Sequence, residues 1–339
     1  MRVLAALDKF RGTATAAEAA TAVGHAAWEL GLDCDEAAIA DGGEGTLDAL
    51  GGPNKRTTVT GPLGRPVEAG WRLSKDVAVI EMAQASGLLL AGGSDGNDPV
   101  GATTTGTGEL IDKALDAGAY RIVVCLGGSA TTDGGLGAVR AIRSPARLRG
   151  VDFVVACDVR TLFTDAAIVF GPQKGASPAE VQLLTGRLQR LVQVYADEFG
   201  VDVSQAEGAG AAGGLAGGLM ALGARIVPGF EMVADELDLH DRIRHADVVV
   251  TGEGYLDEQS FEGKVVGNLV ALAAESATPV LVVAGDIDPV VLPRLTELGV
   301  PAVSLVQSFG EERALREPLG CIEAAVTEML RTWRDSRDA

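Results

Sequence analysis

Five consecutive apolar residues, Ile122-Val123-Val124-Cys125-Leu126, stand directly before Gly127-Gly-Ser-Ala-Thr-Thr-Asp-Gly-Gly135, and the apolar stretch 136–142 follows. An unbroken aliphatic, β-branched run suits a strand buried on both faces, and the later stretch suits a helix, so the order reads strand, glycine-rich loop, helix. Such a unit belongs to an α/β fold. Glycines let the backbone turn its N–H groups outward, a helix start adds partial positive charge, and Ser129, Thr131 and Thr132 add hydroxyls. The loop therefore reads as an anion cradle. Asp133 is its one fixed charge, and an acid there suggests a bound cation or a proton acceptor beside a phosphate. A capped turn between strand and helix is the plainer reading of any one such loop, but the chain carries four more of the same character.

Similar units recur at both ends of the chain. Residues 3–7 read as a buried strand running into Asp8-Lys9-Phe10-Arg11-Gly12-Thr13, and Thr15 then caps a helix that Gly31 stops. A second short strand, 37–40, leads to Asp41-Gly42-Gly43-Glu44, two acids separated only by glycine. Late in the chain, 248–250, 280–284 and 302–306 are strand runs, each followed by a helical segment. Together these units make a five-stranded, doubly wound parallel sheet. Between them the texture differs: 57–60, 67–73 and 77–82 suit a meander, and 178–195 is an amphipathic helix begun by Pro178. The expected architecture is a doubly wound domain of residues 1–53 plus 246–339, an inserted α/β domain of residues 54–245, and a cleft between them.

The composition narrows the partners. With 47 acids against 28 bases the net charge is -19, which argues against nucleic acid and anionic membranes. No apolar run suits a signal peptide or a membrane span, and Cys34, Cys125, Cys157 and Cys321 read as reduced thiols, so a cytoplasmic monomer or homodimer is expected. Arginines outnumber lysines 22 to 6, yet Lys9, Lys174 and Lys264 all fall in glycine-rich or acid-rich loops.

Familiar catalytic signatures are missing. Gly263-Lys264 is followed by Val265 and lacks the spacing of a Walker A loop, and neither the protein-kinase set nor Gly-x-Ser-x-Gly occurs. His25, His240 and His245 lack metal-ligand spacing. The segment 208–213 matches the dinucleotide pattern, but no buried strand precedes it, and close packing through glycine and alanine is preferred. Chemistry must rest on Asp, Glu, Lys and backbone amides. That set suits phosphoryl transfer, where positioning and charge neutralisation carry most of the catalysis.

Several motifs together resemble the bacterial type I glycerate kinases: Asp41-Gly-Gly-Glu-Gly-Thr46, the loop 127–135, Ala156-Cys-Asp158, Phe170-Gly-Pro-Gln-Lys-Gly-Ala176, the segment 208–214, and Thr251-Gly-Glu-Gly254 with Gln259-Ser260 and Gly263-Lys264. The resemblance spans nearly the whole chain. It implies ATP-dependent phosphorylation of D-glycerate with Mg2+, the 2-hydroxyl being the acceptor. ATP phosphates are then expected over Gly127, Gly128, Ser129, Thr131, Thr132 and Gly134 and near Lys264. Magnesium falls to some of Asp133, Asp158, Glu253 and Asp257, and substrate to Lys9, Arg11, Glu44 and Lys174. Asp8 or Asp41 takes the hydroxyl proton. The chain departs from the family at Lys9 and Arg11 in the first loop, at Tyr255 in place of an arginine, at Arg160-Thr161-Leu162, and in a shortened segment before Val151. Those departures make a non-catalytic or substrate-shifted paralogue the alternative.

Overall fold

The computed structural model describes residues 1–10, 12–261 and 263–338. The chain divides into two compact units, one of Met1–Asp41, Asp48–Leu50 and Phe230–Ala339, the other of Gly42–Leu47 and Gly51–Gly229. In chain order the strands are β1 (Arg2–Leu7), β2 (Asp33–Ala38), β3 (Lys55–Thr60), β4 (Pro66–Ser74), β5 (Val77–Glu81), β6 (Arg121–Cys125), β7 (Asp152–Ala156), β8 (Arg225–Val227), β9 (Val248–Leu256), β10 (Val280–Ile287) and β11 (Ala302–Ser304).

The first unit holds a sheet in the order β11-β10-β9-β1-β2, with every pairing parallel. Both chain ends contribute to it, as the doubly wound expectation requires. Residues 3–7 of β1 are fully buried because helices cover both faces, which is why the strand reads as an unbroken apolar run. On one face the helices Ala16–Glu29 and Pro318–Asp338 pack in a single core with Val3, Ala5, Val248 and Val250. The first of these helices starts where Thr15 and Glu18 form a reciprocal capping box.

Several boundaries differ from the sequence expectation; β11, for one, stops at Ser304, where the helix Leu305–Phe309 begins. β2 begins at Asp33 rather than 37, and its first residues are polar because it is an edge strand with one neighbour. Asp35 there pairs with Arg2 and Arg242. β9 runs on to Leu256, so Thr251 and Glu253 lie inside the strand rather than past its end. The cause is β10, which continues the ladder by pairing Val283 with Gly252 and Ile287 with Leu256. Only glycine fits at that seam: a Cβ on Gly252 would fall 1.8 Å from the Val283 carbonyl oxygen, and one on Gly285 would fall 2.3 Å from that of Gly254.

The second unit has the mixed sheet β3-β4-β5-β6-β7-β8. β3, β4 and β5 form the antiparallel meander, and β5 through β8 pair in parallel. β6 lies inside this sheet, with residues 122–124 fully buried, and the loop 127–135 leaves its carboxyl end toward the helix Leu136–Ala141. The helix Pro178–Phe199 begins with a Ser177–Glu180 capping box and ends at Gly200 in the left-handed conformation. It lays Leu184, Leu188 and Tyr195 into a core with Phe163. No helix among the described residues is long and apolar enough to cross a membrane.

Candidate functional site

In the first unit, the carboxyl ends of β1, β9 and β10 open onto a cavity of about 590 Å³ lined by Asp8, Lys9, Asp41, Glu253, Asp257 and Lys264, with Phe10, Tyr255 and Asp286 among its other walls. Parallel sheets gather ligands at this edge because the strand ends release their loops there. The β1–β9 register pairs Leu7 with Gly252, so Asp8, whose N–H donates to the Gly252 carbonyl at 2.9 Å, comes out beside Glu253. Asp8 Oδ1 accepts the Lys9 N–H at 2.7 Å. Asp257 closes the strand end through a turn in which its Oδ1 accepts the Ser260 N–H at 3.0 Å and its own N–H donates to Ser260 Oγ.

Glu253 is the unusual member. The residue is 9% exposed, and its Oε1 has no hydrogen-bond partner among the described residues. Burial pushes its carboxyl up to about 7 against the pull of Ser260; Asp8 and Asp257 push the same way as burial, and Lys264 opposes them. A buried acid with a bare oxygen, facing other acids, is chemically incomplete until a cation or a proton arrives. Among the described residues no three His, Cys, Asp or Glu side chains converge as a closed metal cage.

In the second unit a smaller cavity of about 310 Å³ is lined by Gly127, Gly128, Ser129, Asp158, Gln173 and Lys174, with Leu88, Leu126, Val159, Phe170 and Ala212 as apolar walls. The loop that forms its floor is tied down from beneath. Lys174 Nζ donates to Thr131 O at 2.6 Å, Asn97 Nδ2 to Ala130 O at 3.0 Å and to Lys174 O at 2.9 Å, and Tyr195 Oη to Gly134 O at 2.8 Å. Asp133 turns away from the cavity. Its carboxylate accepts the Thr104 N–H and hydroxyl at 2.9 and 2.8 Å and the N–H groups of Gly135 and Gly137 at 3.0 and 3.1 Å. Burial pushes this carboxyl up, and those donors hold it down.

The loop's ties are thus spent on its buried side, whereas the amides of Gly127, Gly128 and Ser129 have no acceptor among the described residues. Successive unpaired amides make an anion-binding concavity. Glu44 lies against the same turn, since a Cβ on Gly128 would come 3.1 Å from Glu44 Oε2. Cys157 also faces the cavity, and burial pushes its thiol up to about 11, so it stays protonated.

Of the residues marked in the sequence, one group therefore meets in the first cavity and another in the second. Thr131, Thr132, Asp133 and Gly134 line neither of these cavities. Thr131 Oγ1 pairs with Ser129 Oγ at 3.1 Å, and a Cβ on Gly134 would strike Leu191, so both serve packing. Lys174 is neither a solvated turn residue nor an open side chain, but a buried tie. Arg11 lies outside the described residues. The segment 208–214 packs backbone to backbone with the loop: Gly134 N–H donates to Gly213 O at 3.0 Å, and a Cβ on Gly213 would sit 1.9 Å from Thr131 O. Sequence reasoning missed Glu81, Asn97 and Thr104, and read Tyr195 only as part of the buried stripe of the helix 178–195. Only Glu81 left a signal, as an acid inside the apolar run 77–82.

The model of the glycerate kinase family matches residues 3–145 and 142–334. The glycerate kinase of Halalkalibacterium halodurans C-125 is 38% identical over 325 residues, covering 84% of this chain and 85% of that one. The glycerate 2-kinase of Escherichia coli K12 is 38% identical over 327 residues, covering 85% and 86%. A crystal structure from Salmonella typhimurium LT2, provisionally named glycerate kinase 2, superposes with a TM-score of 0.84 at 32% identity over 99% of both chains. Because the likeness extends through both sheets and the motif-bearing loops alike, the chain belongs to the glycerate kinase family.

Proposed function

We propose that the chain transfers the terminal phosphoryl group of ATP to D-glycerate, with the 2-hydroxyl as acceptor and Mg2+ as the metal. The observation that carries this reading is the bare Oε1 of buried Glu253, beside Asp8, Asp257 and Lys264 in one cavity at the carboxyl edge of a parallel sheet. Magnesium fits such a site, because it is held by one or two carboxylates plus nucleotide oxygens rather than by a closed protein cage. Glu253 and Asp257 would hold it; Asp133, spent on its four donors, leaves the set. The metal, when bound, neutralises phosphate charge.

The chain's own groups supply the rest. Lys264 adds positive charge to the transferring group, and Asp8 or Asp41 accepts the hydroxyl proton. In the second cavity the amides of residues 127–129 hold an anionic group, and Lys174 keeps their loop in shape. Glu44 beside Gly128 makes that turn a poor seat for a triphosphate and a better one for a small hydroxy acid, so we assign it to glycerate.

ADP release measured with ATP, magnesium and D-glycerate tests the reading. Turnover that requires all three supports it. Glycerate binding without ADP release supports a non-catalytic paralogue instead.

A further inference from the structure

Glu81 ends β5 in register with Cys125 and is only 4% exposed. An acid at the close of an apolar strand needs donors, and Glu81 Oε1 accepts two, Gly45 N–H at 2.9 Å and Leu47 N–H at 2.6 Å. Both amides belong to the segment Gly42–Leu47, which joins the second unit by close backbone contact. A Cβ on Gly42 would lie 2.3 Å from Gly229 Cα, and one on Gly127 would lie 2.8 Å from Glu44 N. The segment thereby brings the Glu44 carboxylate against the Gly127–Gly128 turn, next to amides that have no acceptor among the described residues.

A carboxylate beside bare amides is a selective pairing. A hydroxyl can donate to Glu44 while accepting from the turn, whereas a phosphate oxygen has no proton to give and meets like charge. We propose that Glu81 is a positioning residue of the acid-substrate site, which holds Glu44 where it takes a hydroxyl of the bound hydroxy acid. This rests on the glycerate kinase reading above.

The experiment compares wild type, Glu81→Ala, Glu81→Gln, Glu44→Ala and the Glu81→Ala/Glu44→Ala pair in glycerate and ATP titrations, with thermal unfolding followed in parallel. Glu81→Ala is expected to raise the glycerate KM about tenfold and to leave the ATP KM within about twofold, a split that general loosening would not produce. Glu81→Gln keeps an acceptor oxygen for both amides and should stay within about threefold of wild type. The double variant should be no worse than Glu44→Ala alone, because Glu81 acts through Glu44. Glu81→Gln as impaired as Glu81→Ala, or multiplied effects in the pair, would overturn the proposal. If Glu81→Ala does not fold, Glu81→Asp, which withdraws the acceptor by one methylene, should show the KM rise, and a wild-type KM there overturns it. If the wild type binds glycerate without phosphorylating it, the kinase reading fails, and the same pattern is then sought in glycerate Kd by calorimetry, additive losses again overturning the role of Glu81.

Discussion

Lys174 Nζ donates to the carbonyl oxygen of Thr131 at 2.6 Å from a side chain only 3% exposed. This single bond joins the Phe170–Ala176 motif to the glycine loop after β6, two segments that the sequence separates by about forty residues. Burial pulls the ammonium down to about 7, against the field of Asp133. A lysine whose folded pKa is depressed adds stability that is complete above its unfolded pKa and lost as pH falls through the folded value. Wild type should therefore gain on Lys174→Met between pH 7 and pH 10, by about 1 kcal/mol per pH unit. Parallel denaturant titrations across that range check it, and a constant difference refutes the depressed pKa of Lys174.

Glu253→Gln removes the charge of the bare carboxylate while keeping its shape. Turnover should fall by about a hundredfold or more. Magnesium dependence of the residual rate is the decisive reading: the half-saturating concentration should rise, and an unchanged one removes Glu253 from the metal site.

Asp41→Asn and Lys264→Ala alter side chains that line the first cavity and are only half-buried. Each should abolish turnover and shift the unfolding temperature little, since half-exposed charges add about 1 kcal/mol or less to stability. Steady-state rates beside a thermal melt separate the two effects, and normal turnover in either variant clears that residue of a catalytic role.

Ala212, Gly213 and Gly214 form three successive left-handed residues, and Ala212 holds φ 51 and ψ 41 without a glycine's freedom. Ala212→Gly should stabilise the protein by about 1 kcal/mol by relieving that conformation. Gly213→Ala should destabilise it by more than about 2 kcal/mol, because the new methyl would meet the backbone oxygen of Thr131 at 1.9 Å, where nothing flexible can yield. Urea titration of the two variants is the check. A stable Gly213→Ala protein would mean the two loops are not in contact.

Much of the framework was legible before any coordinates. β1, β6 and β10 are continuous apolar runs because sheet neighbours and helices bury them on both faces, and that burial writes itself into consecutive residues. The Thr15 cap and the helix start at Pro178 were readable for the same local reason. β2 was misjudged at its start because an edge strand tolerates acids, and β9 was cut short because glycine and glutamate look like loop residues until β10 supplies a ladder. In the site, the acids and lysines stood out as residue types, but their jobs did not. Asp133 and Lys174 looked alike as loop charges; one caps buried amides and the other ties down a carbonyl.

Order and periodicity along the chain determined the parallel sheet from both ends, the meander between, and the set of glycine-flanked charges from which function must be drawn. Tertiary structure alone decided which charges meet: Glu253 with a bare oxygen beside Asp8, Glu81 under the Gly42–Leu47 segment, and Asp133 sealed among donors. The physical reason is range. Strand and helix patterns follow from neighbours a few residues apart, whereas the protonation and partners of a buried polar group depend on donors, acceptors and desolvation contributed by segments far away in sequence.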